Sequence, residues 1–151
     1  MRAGTLQALG LAALALTACS RSAGPAPNTK ICFDFKQPHT AAAGMPEAAV
    51  AVDDCVRRWA YSLAASRDDA AAVGEAVAAA CASKLTRWNQ DTLAQPDGDA
   101  ESASLTTGQT TTPLQEHNVF MHQRALLYVV QARAGNCPAP PAKDGAPEGV
   151  S

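Results

Sequence analysis

The chain has no Cys-x-x-Cys, no Gly-x-Ser-x-Gly and no glycine-rich phosphate loop. That removes the sequence grounds for a thiol-redox centre, a hydrolase nucleophile elbow and a nucleotide-phosphate cradle. The zincin pattern His-Glu-x-x-His is missing too, because Glu116 precedes His117 instead of following it. His117 and His122 stand five apart, about 140° around a helix, and do not converge on one ion. His117 and Met121 share a face at i, i+4 that would suit copper, but surface or packing roles are the simpler reading. Asp97, Asp99 and Glu101 alternate without the ligand spacing and closing Glu of a calcium loop. Asp53, Asp54, Asp68 and Asp69 lie where they pair or cap rather than forming a buried carboxylate pair. The sequence therefore offers no catalytic residue, no metal site and no cofactor.

Long hydrophobic runs are also absent, with one exception at the N-terminus. Arg2 and the free amine supply positive charge there. Leu6 to Leu16 is apolar except for Gln7 and Gly10, and it leads into Leu16-Thr17-Ala18-Cys19. This order, a basic start, an apolar core and small residues, is that of a secretory signal. Ala3 to Cys19 is marginal for a membrane span, which needs about 20 apolar residues. Only Arg21 follows it where a basic stop-transfer cluster would stand. Two rival readings are ordinary cleavage after Ala13-Leu14-Ala15 and an uncleaved anchor.

Leu, two small residues and Cys make residues 1–19 resemble bacterial lipoproteins. The resemblance implies diacylglycerol transfer to the Cys19 sulfur, cleavage before Cys19 and acylation of the new amine. Multiple acyl chains anchor a protein stably, whereas one binds marginally. In that family Asp after the lipidated Cys favours inner-membrane retention. Ser20 stands here, which implies an outer-membrane anchor facing the periplasm.

Removing 18 residues of leader from 151 leaves 133, enough for one small domain. Taking Arg2 from the 12 Lys and Arg leaves 11 against 14 acidic side chains, a net of −3. This lack of basic excess argues against a nucleic-acid partner. The expected contacts are the membrane, through the lipid, and an envelope protein of unknown identity.

Four cysteines follow Cys19: Cys32, Cys55, Cys81 and Cys137. In an exported chain an even number reads as two disulfides, and four cysteines allow three pairings. Cys55 and Cys81 fall on the apolar stripes of neighbouring helices, so they are expected to pair. Cys32 and Cys137 then pair by elimination.

The organisation reads as a flexible tether over 19–30, a helical domain over 31–137 and a disordered proline-rich tail over 138–151. Ile31, Phe33 and Phe35 alternate in an extended segment laid over the core. A first helix runs from about Pro46 to Ala65, with Val52, Cys55, Val56, Trp59, Ala60 and Leu63 as its apolar stripe. Asp53, Asp54, Arg57 and Arg58 take the exposed side, each acid pairing four residues onward. Tyr61 stands two residues from Trp59, which places it at the edge of the core or, as the alternative, makes it a candidate surface contact.

Ser66 caps a second helix that continues to about Trp88 on a stripe of Val73, Val77, Cys81, Leu85 and Trp88. A long surface loop covers 89–112. The third helix starts at Thr112-Pro113 with Gln115 completing a capping box, and ends near Ala134 before Gly135. Leu126, Leu127 and Val130 sit in its densest apolar half and are expected in the core.

The fold class expected is thus all-α, an antiparallel hairpin plus a third long helix, stapled by disulfides. The function expected is non-catalytic, a structural or interaction lipoprotein of the envelope. The alternatives are a periplasmic inhibitor or ligand-binding module and, third, a small hydrolase. Cys55 to Ala64 is similar to a segment of small uncharacterised proteobacterial exported proteins, and that similarity implies no activity.

Overall fold

Helix α1 (Glu47–Leu63) is the centre of the body, and every other helix packs against it. The computed structural model describes residues 25–37, 43–104 and 106–150; the segment holding Cys19 lies outside them. Its remaining elements are α2 (Ala70–Ala80), α3 (Ala82–Leu93), β1 (Ser102–Ala103), β2 (Thr110–Thr111), α4 (Pro113–Ala134), β3 (Ala142–Lys143) and β4 (Ala146–Pro147). Among the described residues there are therefore four helices and two small antiparallel hairpins, not three helices alone.

Both disulfides join the expected cysteines. Cys55–Cys81 ties α1 to the α2–α3 junction with Cα atoms 6.0 Å apart. Cys32–Cys137 ties the segment before α1 to the chain beyond α4, at 5.3 Å.

The second helix is not continuous. It breaks at Cys81 (φ −101°, ψ 6°), whose N–H is shared between the carbonyls of Val77 and Ala78. The bonded, fully buried Cys81 marks a corner, from which α3 sets off to bury Leu85 against the same core. Ser66 is not the cap either. Asp69 holds that position, its carboxylate accepting the Ala72 N–H at 2.8 Å, while the Ser66 hydroxyl bonds to Asp68. A carboxylate at the N-cap also suits the positive end of the helix dipole, which explains why Asp69 takes it.

Helix α4 begins as expected: Thr112 caps, Pro113 opens the helix and Gln115 closes the box. Its inward side is different from the expected one. His117, Met121, Ala125, Tyr128, Val129 and Ala132 are buried, whereas Leu126, Leu127 and Val130 are 42%, 50% and 48% exposed. Close approach of α2 is the reason. A Cβ placed on Gly74 would lie 3.6 Å from the Leu126 backbone, so α2 packs directly beside this stretch of α4.

Both ends of the body are folded where a tether and a disordered tail are expected. From Pro25 onward the chain straps across the end of α4. The Asn28 N–H donates to the Gly135 carbonyl at 2.8 Å, and the side-chain amides of Gln131 and Asn136 donate to Ile31 and Pro25 carbonyls. A Cβ on Gly135 would meet Cys137 Sγ at 2.7 Å, so glycine there admits the Cys32–Cys137 bridge. The tail forms the β3–β4 hairpin. Asp144 and Gly145 both take positive φ (51° and 82°), the two-residue turn that Asp-Gly favours. The turn is followed by buried Pro147, and Arg58 donates to the Glu148 carbonyl at 2.8 Å. The expected 89–112 loop likewise shrinks: α3 extends to Leu93, and β1 pairs with β2.

Candidate functional site

The ion pairs expected on the outer side of α1 do form, but one of them is in the core. Asp53 and Arg57 side chains are 2% and 7% exposed. The α1 helix is covered on that side by the strap, whose Phe33 ring lies 4.4 Å from the Arg57 guanidinium carbon. Arg57 Nη2 donates to Asp53 Oδ2 and, at 3.0 Å, to the Tyr128 hydroxyl. Tyr128 in turn donates to Asp53 Oδ1 at 2.7 Å. Arg124 approaches the same carboxylate oxygen at 3.5 Å. Burial, and then the bond to Asp53, raise the Tyr128 pKa, so its proton stays to bind the carboxylate. This cluster ties α1 to α4 by charge-assisted bonds, and the strap joins it through the Phe33 ring over Arg57.

Tyr61 belongs to the same covered side and is not a surface contact. It is 2% exposed, its hydroxyl accepts the Phe33 N–H at 3.1 Å, and its ring meets Phe35 edge to face at 5.2 Å. A residue two positions from a stripe is exposed only when one face of the helix is buried. Here α1 is buried on two.

The two histidines of α4 have separate surroundings. His117 stacks on Trp88 at 3.6 Å and bonds through Nδ1 to Asn89 Oδ1 at 2.8 Å. Burial lowers its pKa and favours the neutral ring. His122 reaches Glu75 of α2 at 3.2 Å instead. Among the described residues no three His, Cys, Asp or Glu gather as a metal would require.

A shallow groove between the strap and α1 is lined by Phe35, Lys36, Gln37, Glu47, Asp54 and Arg58. Asp54 gives one carboxylate oxygen to Arg58 at 2.7 Å, and its Oδ1 is enclosed without a hydrogen-bond partner.

The outward side of α4 is the feature least like an ordinary surface. Its exposed positions are Gln115, Asn118, Val119, Gln123, Leu126, Leu127, Val130 and Ala134, and none is charged. Val119, Leu126, Leu127 and Val130 are 42–50% exposed. Beside them α2 turns out alanines, with Glu75 as its one ionisable residue. Single exposed apolar residues are normal, but a contiguous aliphatic face marks an interaction surface. One sequence signal points to it: residues 125–132 (ALLYVVQA) carry no charge on any side, so part of an apolar set must face outward.

No protein-family model, curated protein or solved structure matches this chain.

Proposed function

We propose that this chain is a non-catalytic lipoprotein of the bacterial cell envelope, whose body serves as a protein-interaction module. The observation that carries the reading is the uncharged aliphatic face of α4. The resemblance of Leu16-Thr17-Ala18-Cys19 to bacterial lipoproteins supports the anchor and, through Ser20, an outer-membrane location facing the periplasm. The two disulfides suit an oxidising compartment. No helix among the described residues is long and apolar enough to cross a membrane.

The anchor is tested by mass spectrometry of the mature N-terminus. The expected product starts at Cys19 and carries acyl chains, and Cys19→Ser releases the protein from membranes. An unmodified Cys19, or a mature start elsewhere, contradicts the reading.

A further inference from the structure

We propose that the Cys32–Cys137 bridge is a thiol-cleavable latch, and that a dithiol entering beside Cys137 releases the strap, residues 25–37, from a body that stays folded. The two bridges differ in access. Cys55 and Cys81 are 3% and 0% exposed, inside the core. Cys32 and Cys137 are half-buried at the end of α4. A cleft of about 270 Å³ opens at Cys137, lined also by Tyr61, Ser62, Ala65, Arg133 and Asn136. Among the described residues Arg133 is its one charged lining group, held in place by the carbonyls of Ala64, Ser66 and Asp68 at 2.9–3.1 Å. Positive charge beside a disulfide favours the thiolate that attacks it.

The step is an exchange. A thiolate of the dithiol bonds to Cys137 Sγ, and the Cys32–Cys137 bond breaks, leaving Cys32 as the thiolate. The second thiol of the dithiol then displaces Cys137 and closes the reagent into its own disulfide. Two electrons pass from the dithiol to the bridge, and the two protons the dithiol gives up end on Cys32 and Cys137.

Release of the strap, not collapse of the body, follows from what each bridge holds. Cys32 and Cys137 are 105 residues apart, and without their bond the cost of ordering the strap falls on its remaining contacts. Those include the Asn28–Gly135 bond, the amides of Gln131 and Asn136 and the Phe33–Tyr61 bond. Phe33 and Phe35 are only half-buried while docked, so lifting them forfeits a partial burial. What they cover is charged. Phe33 lies over Arg57, and water rehydrates Arg57 and Asp53 once the ring leaves, which offsets part of the loss. The helices keep their own tie: Cys55–Cys81 fixes α1 to the α2–α3 junction, and α4 packs along α1 and α2.

Once released, the strap adds to the tether. Cys19 stands six residues before Pro25, at most about 20 Å of chain, and eighteen before Gln37, at most about 60 Å. A reduced copy therefore reaches about three times as far from its lipid anchor. This lengthening rests on the lipid-anchored reading above; the latch does not.

The test uses the full-length chain with both bridges formed, held at about 15 °C, near the usual stability maximum. It is treated with dithiothreitol, and the freed thiols are trapped with iodoacetamide and mapped by mass spectrometry. Cys32 and Cys137 are expected to label about a hundredfold faster than Cys55 and Cys81, because the buried pair reacts only through opening of the core. Hydrogen exchange on the chain at that stage is expected to show the Asn28 and Phe33 amides unprotected and α1 and α4 protected as before. Labelling of Cys55 and Cys81 at the same rate or earlier overturns the latch. So does a strap that stays protected after reduction. Loss of protection along α1 and α4 overturns it too, since the bridge then supports the whole fold. The same maps read the anchor separately. A released strap on a chain without acyl groups at Cys19 keeps the latch and sinks the lengthened tether. An acylated chain whose strap stays docked sinks the latch and keeps the anchor.

Discussion

Replacing Cys32 and Cys137 together by alanine is expected to remove about 4.7 kcal/mol of stability, the chain-entropy value for a loop near 100 residues. The bridge closes a separation of 105 residues, nearly the whole body. It also fixes the strap, whose other polar ties are few: the Asn28–Gly135 bond, two side-chain amides and the Phe33–Tyr61 bond. A small domain has only about 5–15 kcal/mol in total, so the variant should be close to unfolding at moderate temperature. The Cys55–Cys81 bridge closes 26 residues and is expected to contribute less, about 3–4 kcal/mol. Urea unfolding of the two double variants checks both values. Equal losses, or no loss for Cys32/Cys137, would show that the strap is held by other means.

The second large effect is expected from the buried ion pair. Asp53→Ala removes the carboxylate that Arg57 and Tyr128 both bind, deep beneath the strap. Truncating one member of a buried pair typically costs about 3–5 kcal/mol, because the other charge stays desolvated. An exposed i, i+4 pair contributes only about 0.3–0.5 kcal/mol. The two placements of Asp53 therefore differ by roughly tenfold in the measured loss. Asp53→Leu with Arg57→Met is expected to recover most of it, since apolar replacements of a buried pair are often neutral or better. Chemical denaturation of the single and double variants decides. A loss under about 1 kcal/mol for Asp53→Ala would put this pair at the surface.

What could be read before folding was mostly local. The Thr112-Pro113-Gln115 start of α4 and the α1 stripe depend on neighbours in sequence, and both are as the residues imply. The Cys55–Cys81 bridge followed from two stripes facing each other across a short turn, and Cys32–Cys137 by elimination. What failed depended on distant packing. Asp53 and Arg57 look like an outer face until the strap, some 20 to 24 residues earlier, covers them. Leu126, Leu127 and Val130 look like core because residues 125–132 of α4 are apolar on most sides, and a stretch of that kind does not say which side is inside. The inward side carries His117, Met121, Ala125, Tyr128, Val129 and Ala132 instead, fixed by packing against distant elements. The tail hairpin was legible, since Asp144-Gly145 is a strong turn signal, but the surrounding prolines obscured it.

The proposed function, an interaction module held at a membrane, joins an anchor at Cys19 to the α4 face. That account requires the aliphatic residues of α4 to serve the surface and not the core. Thermal unfolding of the triple variant Leu126→Ser, Leu127→Ser, Val130→Ser tests it most directly. Surface substitutions change stability by about 0.5 kcal/mol each, so the variant is expected to melt within a few degrees of the parent. Buried leucines would lose about 2–5 kcal/mol each on truncation. A triple variant that is unfolded at room temperature would contradict the account.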